Sequence, residues 1–270
     1  MSASAEPMFA WEPLTPRGVA AFARTKFSRL LLVQFIVALL GAASVVWLLY
    51  DGCFPTINAA IQKLPATGEI RSGKLDWQGN SPELLAEGQI LAFDVDLNHS
   101  GQIQPTRDVQ IEFGAQTVRV ISLLGYVEFM YPPDYVISYN RTELAPLWGA
   151  WEAEVLFIIA AAVTFGLLVA WWLLATVYFL PVWLLGFYAN RDLNFRASWK
   201  LSGAGLLPGA LLMALGVWLY DQGFLDLAAF GFIFAAHFVL GWIYLLVSLL
   251  FVPRFSETPK RGNPFKSAKA

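Results

Sequence analysis

Apolar positions follow two different periods along the chain. From Val155 to Tyr188 there are 34 consecutive residues without a charge. About 20 apolar residues of helix cross the ~30 Å hydrocarbon layer of a bilayer, so this run predicts a transmembrane helix with a tail to spare, bent at Pro181. Leu30–Tyr50 is another uncharged run, 21 residues long, between Arg29 and Asp51. It exceeds the ~7 to 15 residues of a secretory-signal core, and no A-x-A-like cleavage site follows it closely, so it reads as an uncleaved anchor. Leu201–Tyr220 and Leu227–Val252 complete four predicted spans around the tight turn Asp221–Asp226.

Residues 51–154 change period. Pro55–Leu64 (PTINAAIQKL) puts Ile57, Ile61 and Leu64 on one helical face and stops at Pro65. Leu91–Leu97 (LAFDVDL) alternates, with Leu91, Phe93, Val95 and Leu97 on one face and Ala92, Asp94 and Asp96 on the other. That is the pattern of a half-buried strand whose acidic side is wet. Val109–Phe113 and Thr117–Ile121 alternate in the same way about Gly114-Ala115, which reads as a two-residue II′ hairpin turn opening on glycine. With strand-like pieces at Glu69–Trp77 and Tyr126–Tyr131, the segment predicts a small sheet of four or five strands. The predicted fold is a membrane all-α bundle of four transmembrane helices plus a small extracytoplasmic α+β domain with antiparallel strands. Ahead of the first span, Thr15-Pro16 supplies an N-cap and a proline at the first helical position. Val19, Phe22, Ala23 and Phe27 then face away from Arg24, Lys26 and Arg29, as in a short amphipathic helix at a headgroup surface or a solvated lead-in.

Composition agrees with the spans, since 57% hydrophobic and 14% charged residues fall outside the range of ordinary soluble proteins. The net charge of -2 conceals a separation by segment. Residues 1–29, 189–200 and 253–270 hold 12 Lys and Arg against Glu6, Glu12, Asp192 and Glu257, whereas 51–154 and 221–226 hold 6 against 16 Asp and Glu. By the positive-inside rule both termini and the 189–200 loop are cytoplasmic, 51–154 is extracytoplasmic, and the basic tail 253–270 is too polar to fold. Trp47, Tyr50, Trp148, Trp151, Trp218 and Tyr220 cluster at the predicted outer boundary, as an aromatic belt does. Cys53, the single cysteine, excludes an intrachain disulfide.

Asp94, Asp96 and Asn98 begin like a calcium loop, but the glycine and glutamate that an EF-hand would need are His99 and Pro105. Asn98-His99-Ser100 and Asn140-Arg141-Thr142 are N-glycosylation acceptor triplets. No paired nucleophile and base, phosphate loop, Cys/His metal cluster or dinucleotide fingerprint occurs in the sequence, so no catalytic, cofactor-binding or metal-binding residue is assigned, and neither a cofactor nor a nucleic-acid partner is expected. The spans also lack the Asp, Glu, Lys and Arg that pumps place in the membrane. His237 stands ten residues beyond Leu227, roughly 15 Å into the layer, and is expected neutral, facing the bundle interior. Thr164, at roughly 14 Å, is the hydrogen-bond partner best matched in depth. Small residues four apart predict close helix packing within one bundle, or else a homo-oligomer interface: Ala38 and Ala42; Ala162, Gly166 and Ala170; Gly205 and Gly209; Gly231 and Ala235.

Leu64-Pro65, Gly73-Lys74-Leu75, Asn194–Leu201 (NFRASWKL) and Leu206–Gly209 (LLPG), within one anchor, an external domain and three further spans, resemble a family of bacterial membrane proteins of unknown function. That family is in turn similar to the Yip-type membrane proteins. The resemblance covers the distal two thirds of the chain and implies a bacterial inner-membrane location without catalytic residues. A trafficking role is not implied, because Yip-type proteins lack a large external domain between the first two spans. Two functions remain open. One is a non-enzymatic interaction, scaffold or sensing protein whose outer domain meets a periplasmic or envelope partner. The other is a small-solute permease or transporter accessory, for which Pro181 and Pro208 could open helix backbone to a cavity.

Overall fold

The computed structural model describes residues 12–104 and 107–255. The predicted tail beyond residue 255 and the first 11 residues lie outside the described residues. Among the described residues, four helical segments are long and apolar enough to cross a membrane: Phe27–Lys63, Arg141–Tyr188, Phe195–Asp221 and Leu227–Leu249. Between the first and second lies a mixed domain of mostly antiparallel strands. The chain divides into two compact units.

The first unit holds the described chain up to Ala38, Phe165–Leu212, and the described chain from Ala235. Helix α1 (Pro16–Phe22) starts where the sequence places it, with the Thr15 hydroxyl accepting the Gly18 N–H at 3.0 Å. Its apolar face is buried in protein rather than presented to a headgroup surface. Val19 and Phe22 are fully enclosed with Leu30 and Leu201, and α1 packs on α5 (Phe195–Gly205). Helix α4 (Arg141–Tyr188) passes unbroken through Pro181, and at 48 residues it is about 72 Å long. The third span begins earlier than its apolar run. It consists of α5 and α6 (Leu207–Asp221), interrupted at Leu206. Pro208 explains the break, because its ring nitrogen has no hydrogen to bond back four residues to Ala204. Helix α7 (Leu227–Leu249) is the fourth span.

The second unit holds Leu39–Thr164 and Met213–Phe234. Helix α2 (Phe27–Trp47) does not end at Tyr50 but turns through a π-helical segment, Leu48–Cys53, into α3 (Phe54–Lys63). Pro55 lies in the first turn of α3, where no intrahelical N–H is required, and the wide turn ahead of it absorbs the missing bond. The strands form two sheets. The smaller has order β2-β1-β8, from β1 (Glu69–Arg71), β2 (Lys74–Asp76) and β8 (Ile137–Ser138). The Ser72-Gly73 turn between β1 and β2 has φ of 51° and 72°, as a tight hairpin needs.

The larger sheet has order β3-β4-β5-β6-β7, from β3 (Glu83–Glu87), β4 (Leu91–Val95), β5 (Val109–Phe113), β6 (Thr117–Ser122) and β7 (Gly125–Met130). One pair departs from the antiparallel expectation. β4 and β5 run parallel, Leu91 opposite Val109 and Val95 opposite Phe113, so residues 96–108 must cross over to bring the chain back. Helix α3 packs on β3 and β4, with Ala60 and Leu64 against Leu85, Ala86 and Val95.

Candidate functional site

The side of β4 predicted to be wet is buried: Asp94 is 0% and Asp96 1% exposed. The physical reason is the crossover. A side chain from it, His99, reaches back to the sheet, its Nδ1 against Glu112 of β5 and its Nε2 2.8 Å from Thr117 Oγ1 of β6. These contacts sustain an uncommon backbone, since His99 adopts φ of 52°, a region few non-glycine residues visit. Gly114 makes the space, because a Cβ there would stand 2.2 Å from His99 Nε2. The predicted role of Gly114 is therefore corrected. It pairs with Thr117, and the two turn residues are Ala115 and Gln116.

Around this histidine most of the polar face is paired within itself, Asp94 Oδ2 and Gln110 Oε1 excepted. Gln110 Nε2 donates to Asp94 Oδ1 at 2.9 Å, and Arg119 Nε donates to Glu128 Oε2 at 3.0 Å while its Nη1 lies 3.8 Å from Glu112. Burial pushes the Asp94 carboxyl up to about 7, against the hydrogen bond from Gln110 and with the help of the Glu112 and Asp96 charges. Its Oδ2 has no hydrogen-bond partner among the described residues. Asp96 moves the other way. Burial opposes its charge, but hydrogen bonds from Ser100, Asn98 and Gly101 outweigh it and hold the carboxyl below the ordinary range. Asp96, the second carboxylate of the calcium-loop-like run, is thus filled by its own turn. Asn140 is also engaged, accepting the Glu143 N–H at 3.0 Å and donating to Gly68 O at 3.0 Å, as the cap of α4.

The groups left unspent lie at one edge of the sheet. Among the described residues β7 pairs only with β6, and all six of its residues are exposed, Met130 by 86%. An open edge offers a row of backbone donors and acceptors, which proteins ordinarily blunt with charge, proline or a covering element. Here the strand reads GYVEFM, with Tyr126, Val127 and Phe129 more than half exposed, and Pro132-Pro133 closes it at one end. The Arg119 guanidinium lies 5.0 Å from the centre of the Tyr126 ring, fixing that aromatic against β6.

In the helices, the residues singled out by spacing take different places. A Cβ on Gly209 would meet His237 O at 2.3 Å, and one on Gly205 would meet Leu245 Cδ2 at 2.4 Å. Gly166 and Gly231 have nothing within 4 Å of that position, and Ala162, Ala170 and Ala235 are exposed beside them. Ala38 and Ala42 are buried. The His237 ring lies against Phe238, centroids 3.8 Å apart, while the Thr164 hydroxyl donates to Ala160 O at 2.8 Å within its own helix. A polar residue that spacing does not mark is Gln34. It is fully buried, donates to Gly203 O at 3.4 Å and accepts the Trp172 indole N–H at 3.3 Å, so it joins α2, α4 and α5. Its one sequence signal is being the sole amide side chain in the first apolar run. Phe27, Phe179, Phe195 and Trp199 also line a cleft of about 510 Å³ with Arg196 and Lys200.

Comparison with protein-family models, with characterised proteins and with solved structures gives no match. The chain is a multi-span membrane protein with a soluble β-containing domain between its first two spans.

Proposed function

We propose that this is a non-enzymatic interaction protein of the bacterial inner membrane, its termini cytoplasmic, whose outer domain binds an extended segment of an envelope protein by strand addition to β7. The observation that carries the reading is the open, apolar edge of a five-stranded sheet. Strand addition uses such an edge twice, with main-chain hydrogen bonds giving affinity and alternate side chains giving selectivity. The acid–histidine cluster supports an interaction role rather than a catalytic one. His99, Glu112, Thr117, Arg119 and Glu128 spend their hydrogen-bonding capacity on one another and brace the strands beside the edge. Charge separation supports the location of the termini.

The test is a Val127→Lys/Phe129→Lys double variant. Both positions are exposed, so the domain is expected to melt within about 1 kcal/mol of the parent chain. Polypeptides cross-linked to the parent outer domain are expected to disappear from the variant. Retention of the same polypeptides at the same yield would overturn the reading.

A further inference from the structure

We propose that the β6–β7 turn, Leu123-Leu124, is a membrane-inserted tip that dips into the leaflet on the side of the outer domain. Two-residue hairpin turns ordinarily carry Gly, Asn or Asp, whose backbones tolerate the turn and whose side chains suit water. Here the turn is two leucines, 74% and 98% exposed, and Gly125 at φ of 113° follows it. Unless something apolar receives them, two leucine side chains project into water from the turn.

Strand register shows which way they project. Ser122 pairs with Gly125 across the turn and with Val109 on the neighbouring strand, so the tip lies at the end of the sheet where β5 begins. That end is tied to the last turn of the third span. Asp108 accepts a hydrogen bond from the Tyr220 hydroxyl, Gln89 Nε2 donates to Tyr220 O at 3.4 Å, and the Val109 N–H donates to Ile90 O at 3.0 Å. Ile90 also approaches the first span, its Cδ1 2.9 Å from where a Cβ on Gly52 would stand. The leucines therefore hang at the level where the helices leave the membrane. Just behind them, Tyr126 with Arg119 over its ring forms the polar-aromatic rim expected at headgroup depth. A lipid surface is the occupant that this placement selects, because the helix whose last turn is tied to this end of the sheet, Phe195–Asp221, is itself a membrane span.

The full chain bearing Cys53→Ser and Leu124→Cys, labelled with an environment-sensitive fluorophore in phosphatidylcholine/phosphatidylglycerol vesicles, tests this without any protein partner, so its outcome is separate from that of strand addition at β7. Quenching by phospholipid carrying a nitroxide high on the acyl chain is expected to exceed that of a Lys74→Cys control several-fold, with aqueous iodide showing the reverse order. Iodide quenching at 124 equal to the control would overturn the proposal. Protection from both quenchers that depends on protein concentration would also overturn it, pointing to a second copy as the occupant. An unlabelled chain gives a second readout. Hydrogen exchange across residues 122–126 should slow several-fold in vesicles for the parent chain and not for Leu123→Ser/Leu124→Ser, and an equal rate in both would contradict insertion.

Discussion

Asp94 is enclosed in the outer domain with one carboxyl oxygen unpaired, and its proton is held to about pH 7 by burial. The sign of the consequence is fixed. Below the ordinary value of 3.8 the group is protonated in both folded and unfolded chains and costs nothing. Between that value and about 7 the unfolded chain releases the proton and the folded one keeps it, so stability falls as pH rises, and above about 7 the loss is complete. At about 1.4 kcal/mol per unit, Asp94→Asn, which can still accept from Gln110, is expected to gain roughly 4 kcal/mol at pH 8 and to flatten the slope of chemical denaturation midpoints between pH 4 and 7. An unchanged slope would contradict it. Gly114→Ala should act oppositely, displacing His99 from Thr117 and costing about 1–3 kcal/mol by the same measurement, because the ring stands where the methyl would go. Alternation along Leu91–Leu97 correctly separates the two faces of β4 but says nothing of what covers each. The cover comes from the connection after β4, through His99, and the need for a crossover arises from the parallel pairing of β4 with β5, which no local pattern encodes.

At the level of elements, the small residues spaced by four divide into those met by a neighbour and those that are not. Gly209→Val would drive a side chain into the main chain of α7 at His237, whereas Gly166→Val and Gly231→Val open onto space. The first is expected to lower bundle stability by about 1–3 kcal/mol in a detergent-denaturation titration and the other two to change it by less than about 0.5. A uniform response across the three would show that spacing alone marks the contact. Long uncharged apolar runs find the helices because a backbone in lipid must satisfy its hydrogen bonds internally, and the four spans are legible for that reason. It does not find their ends. The first span continues through Leu48–Cys53 to Lys63 and the third starts at Phe195, since helix persists wherever protein packing replaces lipid. β3 escapes the sequence because Glu83–Glu87 (ELLAE) does not alternate, and its register shifts between Leu84 and Ala86.

For the whole molecule, four spans are consistent with both termini on one side of the membrane, and the proposed topology, carried by the charge asymmetry, makes that side the cytoplasm. In cells carrying Cys53→Ser, a membrane-impermeant maleimide is expected to modify Lys74→Cys on β2 and to leave Arg196→Cys on α5 unmodified until the membrane is opened. The reverse pattern would invert the topology. The most direct measurement for the function is photo-cross-linking in intact cells, with a photoreactive amino acid placed in turn at Tyr126, Glu128 and Met130 of β7 and, as a control, at Gln78. Strand addition is expected to yield cross-links to one polypeptide at the three edge positions and not at the control, all lost on Val127→Lys/Phe129→Lys. Equal cross-linking at Gln78, or none at any edge position, would contradict an interaction through the open edge.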